Sequence, residues 1–184
     1  RVAFTGGVVL GLITLWAALR PMRVTPIKAE ADALAHAARI ASRFGRDPGR
    51  LDLARGHSIF FSDGGNAFLI YDRQGEYWIA MGDPEGDPAE IPGLIWEFRD
   101  GARTTRGTPV FSGVSPRWLP QWAEMGMRID YPDGRPAMGQ LPDMTAASPE
   151  VDEARRYLIA PRLTNSQRVA EAVAALSARR MEGL

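Results

Sequence analysis

Residues 2–19 form an apolar run in which Thr5 and Thr14 are the only polar side chains. At about 1.5 Å per residue the run reaches roughly 27 Å as a helix, close to the roughly 30 Å hydrocarbon core of a bilayer. The pattern therefore predicts a transmembrane helix over residues 1–20. A secretory signal peptide is the competing reading, and it fits less well. Arg20, Arg23 and Lys28 come directly after the apolar run, where a cleavage site prefers small neutral residues. The same cations place the downstream chain on the cytoplasmic side. Gly7 and Gly11 form a GxxxG pair, the spacing that lets a second membrane helix approach closely, although a Gly-rich segment produces such pairs by chance as well. Trp16 sits where an interfacial anchor would. The chain opens on Arg1 instead of methionine, which suggests a processed product or, more simply, a piece of a longer protein.

After a proline-marked juxtamembrane linker over residues 21–28, the periodicity changes. Residues 29–44 carry Ala33, Leu34, Ala37, Ile40, Ala41 and Phe44 near helical spacing, which predicts an amphipathic helix. Residues 58–62, 67–72 and 77–81 are short runs of aromatic and branched residues. The Asp63-Gly64-Gly65-Asn66 and Arg73-Gln74-Gly75-Glu76 connectors separate them. Such short, turn-rich connectors predict an antiparallel meander. Residues 82–88 break the pattern, and residues 89–101 resume it as a helix with Ile91, Leu94, Ile95 and Phe98 on one face. A strand over 109–114, a short helix over 115–125 and a strand over 127–131 come next. These elements predict a domain over residues 29–131. Residues 132–149 read as a loop or linker, and residues 150–184 as a helical tail with helices over 150–160 and 165–180. The expected class is α/β (α+β), a mixed sheet with flanking helices behind one transmembrane helix.

Composition narrows the chemistry. The 184 residues, 45% apolar, suffice for one domain with a core. Cysteine is absent, which excludes disulfides, thiolate nucleophiles and cysteine-ligated metals. His36 and His57 alone cannot build a histidine-rich metal site. The zero net charge conceals a split: residues 1–28 hold four cations and no acid, and the rest holds 18 basic against 22 acidic groups, a net of −4. A strongly basic nucleic-acid binder is thereby disfavoured.

The order of the soluble elements is similar to the central part of a GNAT-type acyltransferase. The stronger likeness is local. Phe61-Ser62-Asp63-Gly64-Gly65-Asn66-Ala67-Phe68 and Trp78-Ile79-Ala80-Met81-Gly82-Asp83-Pro84-Glu85-Gly86 resemble the F-S-x-x-G-x-A-F and W-[IV]-A-x-G-D-P-x-G patterns of the bifunctional lysylphosphatidylglycerol synthetase and flippase family, also called multiple peptide resistance factor. Leu94-Ile95-Trp96-Glu97-Phe98-Arg99, Pro109-Val110-Phe111 and Val114-Ser115-Pro116 fit as well, as does Leu19-Arg20-Pro21 before the soluble part. The likeness runs over residues 2–130 and fades after Asp130.

The resemblance implies a membrane-anchored fragment holding the first of two tandem GNAT-like repeats, inactive alone because the second repeat carries most of the transfer chemistry. The implied activity of the intact protein is aminoacyl transfer from charged tRNA to phosphatidylglycerol, which lowers the negative charge of the membrane. Its partners would be the phosphatidylglycerol membrane, aminoacyl-tRNA and further membrane helices of the same protein. The inner (cytoplasmic) membrane would be the location, with the soluble part facing the cytoplasm. No metal or cofactor is implied. A non-catalytic, membrane-tethered docking module is the alternative.

Catalytic residues are not identifiable from the sequence. Gly82, Asp83 and Pro84 occupy the loop where GNAT enzymes bind the pyrophosphate of acetyl-CoA. Asp83, Glu85 and Asp87 crowd that loop, and no basic residue lies between Arg73 and Arg99, so an acyl-CoA N-acyltransferase is disfavoured by like-charge repulsion. Asp83 reads more readily as a turn and cap residue. Tyr71, Arg73, Tyr77, Trp78 and Trp96 are candidates to line a groove, against the commoner role of aromatic residues as core. His57 lacks an acidic partner at informative spacing. The Arg155-Arg156 and Arg179-Arg180 pairs read as solvated helix surface.

Overall fold

The computed structural model describes residues 31–44, 54, 56–131 and 156–182. The expected membrane helix with Gly7 and Gly11, the linker over 21–28 and the segment over 132–149 lie outside the described residues. Among those described, no helix is long and apolar enough to cross a membrane.

Helix α1 (Ala31–Arg43) precedes strands β1 (Ser58–Phe61), β2 (Ala67–Gln74) and β3 (Tyr77–Met81), the two-residue β4 (Glu85–Gly86) and helix α2 (Ile91–Thr104). Strand β5 (Thr108–Val114), a 3-10 turn (Pro116–Trp118), α3 (Leu119–Glu124), β6 (Met127–Asp130), β7 (Tyr157–Pro161) and α4 (Ser166–Glu182) complete the order. The sheet runs β1-β2-β3-β5-β7-β6. All its pairings are antiparallel except β3 with β5, which α2 joins as a crossover. The fold is mixed α/β.

Strand alternation sorts the side chains onto two faces. Leu69, Tyr71, Trp78, Ala80, Phe111 and Ile159 pack beneath Leu94, Ile95 and Phe98 of α2 and Leu119 and Trp122 of α3. On the opposite face Ile79, Val110 and Leu158 meet Val169, Ala172 and Leu176 of α4, while Phe68 and Ile70 meet Ala37 and Ile40 of α1. The helix stripes read from the sequence are these buried faces.

One expectation is overturned. The helix expected over 150–160 is, from Tyr157 on, strand β7, lying between β5 and β6. The sheet therefore extends beyond residue 131 into the region taken for a helical tail. Tyr157-Leu158-Ile159-Ala160 is buried on both faces, so it shows a continuous apolar run without the alternation that marks a half-exposed strand.

Two irregularities stand side by side. Tyr71 pairs with Ala80, and continuing that register would bring Asp83 opposite Phe68. Glu85 is there instead, so two residues loop out between β3 and β4. Next to this loop the β5–β7 ladder shifts register between Ser112 and Val114, where Gly113 takes φ +76°.

Candidate functional site

In open α/β sheets ligands favour the crevice at the carboxyl ends of parallel strands, and the Gly82-Asp83-Pro84 loop occupies that place. The β1–β2 turn and the start of α2 share this end of the molecule. Gly82, at φ +75°, donates its N–H to the Ser112 carbonyl at 2.7 Å. The Asp83 carboxylate accepts the Ser115 N–H at 2.8 Å, tying the loop to the start of the 3-10 turn. Pro84 is buried. Asp83 thus serves a backbone N–H as the capping reading anticipated, but one 32 residues away in the chain. Asp87 donates its N–H to the Asn66 carbonyl, and its own carbonyl accepts the N–H groups of Glu90 and Ile91. Pro84, Pro88 and Pro92 have no N–H to give. Few donors remain here to cradle a pyrophosphate, and acidic side chains surround them.

The β1–β2 turn is clamped to α2 by two carboxylates. Glu90 Oε2 accepts the Ser62 hydroxyl at 2.5 Å and the Asn66 N–H at 3.0 Å, while Oε1 accepts the Asn66 amide at 2.7 Å. A Cβ on Gly64 would overlap that carboxylate, and one on Gly86, at φ +124°, would overlap the Asn66 carbonyl. Glu97 Oε2 accepts the Asp63 N–H at 3.2 Å. The bonds from Ser62 and Asn66 hold Glu90 below the usual carboxylate range. Burial, aided by the charges of Asp63 and Glu90, pushes Glu97 up.

These opposite shifts have opposite consequences for stability. Glu97, with its folded pKa raised, stabilises the fold relative to its charged form below about pH 4.5. That contribution is lost as pH rises through the raised value. Glu97→Gln keeps an oxygen for the Asp63 N–H and removes the repulsion. It should raise neutral-pH stability by a few tenths to about 1 kcal/mol, an effect that shrinks under acid. Urea unfolding at several pH values measures it, and a loss of neutral-pH stability would show that the charge is needed.

The groove expected from Tyr71, Arg73 and Trp96 does not assemble. Tyr71 is core, stacked on Trp78 at 5.2 Å between ring centres and edge-on to Phe98 at 5.4 Å. Burial pushes its hydroxyl pKa up, against the opposing Arg73 charge. Arg73 lies exposed over the Trp78 ring at 3.9 Å. Trp96 stands apart on α2, 38% exposed and covered by the Arg99 guanidinium at 4.0 Å.

Other polar groups escaped the sequence reading. His57 does meet a carboxylate: Asp72 Oδ2 lies 3.3 Å from Nδ1. The β1–β2 pairing makes that contact, and the 15-residue separation concealed it. His36 Nε2 lies 2.9 Å from the Gly65 carbonyl and its Nδ1 lies 3.2 Å from Arg39 Nη2, an arrangement that fits a neutral ring protonated on Nε2. Among the described residues, the buried Nε1 atoms of Trp118 and Trp122 and the Tyr157 hydroxyl find no hydrogen-bond partner. Among the described residues no three His, Cys, Asp or Glu side chains gather as a metal site.

Comparison with known proteins agrees with the motifs. The family model "Phosphatidylglycerol lysyltransferase, C-terminal" matches residues 39–155. The match begins later than residue 2 and passes the Asp130 boundary at which the likeness was expected to fade. A C-terminal domain assigned to a lysylphosphatidylglycerol synthetase from Agrobacterium fabrum shares 33% identity at a TM-score of 0.52. The match covers 57% of this chain and 33% of that one. The structure of L-PGS from Bacillus licheniformis has the same fold at 20% identity and a TM-score of 0.51, with coverage of 58% and 32%. The chain thus spans about a third of the length of these solved relatives. No curated protein matches it. With the motif residues, the sheet and the family match in agreement, the chain belongs to the family of phosphatidylglycerol lysyltransferase C-terminal domains.

Proposed function

We propose that the chain is the first of two GNAT-like repeats of an aminoacyl-phosphatidylglycerol synthase, carried on the membrane by residues 2–19 with its sheet on the cytoplasmic side. In the whole protein it supports transfer of an aminoacyl group from charged tRNA to a glycerol hydroxyl of phosphatidylglycerol. The ester of aminoacyl-tRNA is already activated. The reaction needs a positioned lipid hydroxyl, a base to take its proton and donors for the oxyanion.

The observation that carries this reading is how the family motif is used. Ser62, Gly64, Asn66, Gly82, Asp83 and Gly86 are engaged in clamps between β1, β2, β4, β5 and α2. Glu90, the carboxylate on which the β1–β2 clamp converges, accepts three hydrogen bonds from Ser62 and Asn66. A motif spent on architecture suits a repeat that positions its neighbour. We therefore expect no aminoacyl-phosphatidylglycerol from the purified chain given phosphatidylglycerol vesicles and lysyl- or alanyl-tRNA, with product appearing when the whole protein replaces it. Turnover by the chain alone would overturn the assignment. The acyl-CoA reading is disfavoured by the acidic, proline-rich loop, and saturable acetyl-CoA binding would revive it.

A further inference from the structure

At the end of the sheet away from the Gly82-Asp83-Pro84 loop lies a cleft of about 370 Å³, between the last turns of α2, the start of β5, the turn into β6 and the β7–α4 connection. Arg99, Arg103 and Arg162 line it, and among the described residues no carboxylate does. Arg99 and Arg103, four residues apart, share one face of α2. Arg99 is paired with exposed Asp100 at 2.7 Å; Arg103 and Arg162 form no ion pair among the described residues. The C-terminus of α2 opposes an anion through its carbonyls. Here the Ala102 carbonyl takes the N–H groups of Thr105 and Gly107, and the Arg103 carbonyl that of Arg106. The arginine charge therefore prevails.

Beside the arginines, Leu163 is fully exposed at the tip of the β7–α4 turn. The turn is held from within. Thr164 N–H reaches the Pro161 carbonyl at 3.0 Å, and Arg128 Nη1 donates to the Thr164 and Arg162 carbonyls at 2.7 and 3.3 Å. Arg128 is itself anchored by fully buried Asp130 at 2.6 Å. A lone exposed leucine is ordinary. One on a pinned turn beside a basic cleft has the chemistry of a bilayer surface, with cations for phosphodiesters and an apolar tip for the acyl boundary. RNA would want open aromatic faces for stacking, and Trp96 has its face covered by Arg99.

We propose that this cleft and the Leu163 tip dock on the headgroup layer of an anionic membrane, reading charge and not the glycerol hydroxyl. The inference rests on the lipid side of the function proposed above. Because the chain has no cysteine, Leu163→Cys offers a single thiol for an environment-sensitive fluorophore on the whole chain reconstituted in vesicles. Emission should shift to the blue in vesicles rich in phosphatidylglycerol or in phosphatidylserine, and not in phosphatidylcholine. A label at Ala89→Cys, on an exposed residue ahead of α2 at the other end of the molecule, should shift in none. Adding Arg103→Gln and Arg162→Gln should lower the contact equilibrium roughly thirtyfold, and high salt should weaken it further.

Equal emission in charged and neutral vesicles would overturn the proposal. A response to phosphatidylglycerol alone would replace docking with a headgroup-specific site. A response to tRNA or inorganic phosphate in neutral vesicles would replace the lipid with those ligands. If the probe fails while the whole protein still makes aminoacyl-lipid, only the docking surface falls. If the probe responds and the whole protein makes none, the transferase reading falls instead.

Discussion

Phe98→Ala is expected to destabilise the domain by about 3–5 kcal/mol, the range for emptying a buried aromatic site that cannot collapse. Phe98 is fully buried at the middle of α2. Its ring meets Phe60, Tyr71, Trp78 and Phe111 edge-on or tilted, at centre distances of 5.5, 5.4, 5.9 and 5.3 Å. These neighbours come from four strands, so no single backbone shift fills the hole. Against a typical total of about 5–15 kcal/mol, such a loss leaves little reserve. Urea unfolding followed by tryptophan fluorescence should show the midpoint falling steeply. Phe98→Leu, which restores much of the volume, should cost less than half as much. If leucine and alanine cost the same, the aromatic edge contacts and not the volume support α2.

Glu90→Ala is expected to cost about 2–3 kcal/mol. Three hydrogen bonds to one carboxylate would sum to more at typical charged-group values. The site is partly exposed, however, and water can re-engage the freed Ser62 and Asn66 donors, which lowers the total. The pH dependence identifies the cause. Glu90 has a folded pKa lowered from its usual value near 4.5, so its contribution is complete above that value and disappears as pH falls through the lowered one. The gap between wild type and Glu90→Ala should be widest near neutrality and close in acid. A gap that persists in acid would point to packing of the side-chain stem instead. Loosening this clamp should also free the β1–β2 turn, measurable as faster amide exchange at Asn66 and Ala67.

How far the sequence was legible depended on how far each interaction reached along the chain. The meander is readable because its strands are short runs of aromatic and branched residues and each turn carries its own Gly, Asp or Asn. Helix α2 was readable because Ile91, Leu94, Ile95 and Phe98 repeat with its pitch. Asp83 was read as a capping carboxylate, yet its partner at Ser115 could be known only once β3 and β5 lay parallel. His57 was set aside for want of an acid, and β1–β2 pairing supplied Asp72. The Glu90 clamp spans 24 to 28 residues, and no local rule announces it. Tyr71, Arg73 and Trp96 read as one groove because aromatic and basic residues suit grooves. Burial divided them instead, taking Tyr71 inside and leaving Trp96 on the surface.

The sequence by itself determined the local conformations, the exclusion of thiol chemistry, the acidic character of the loop and, through its motif, the family. Turn geometry, helical pitch and side-chain chemistry are properties of a few neighbouring residues, so they are present before the chain folds. Only the tertiary structure decided that residues 157–161 form a strand inside the sheet, that the motif residues clamp the β1–β2 turn and the β3–β4 loop to α2 and β5, and that Arg99 and Arg103 of α2 share a cleft with the distant Arg162 and Leu163. Each of those depends on strand register and helix placement, which the burial of the whole core selects and no segment specifies alone.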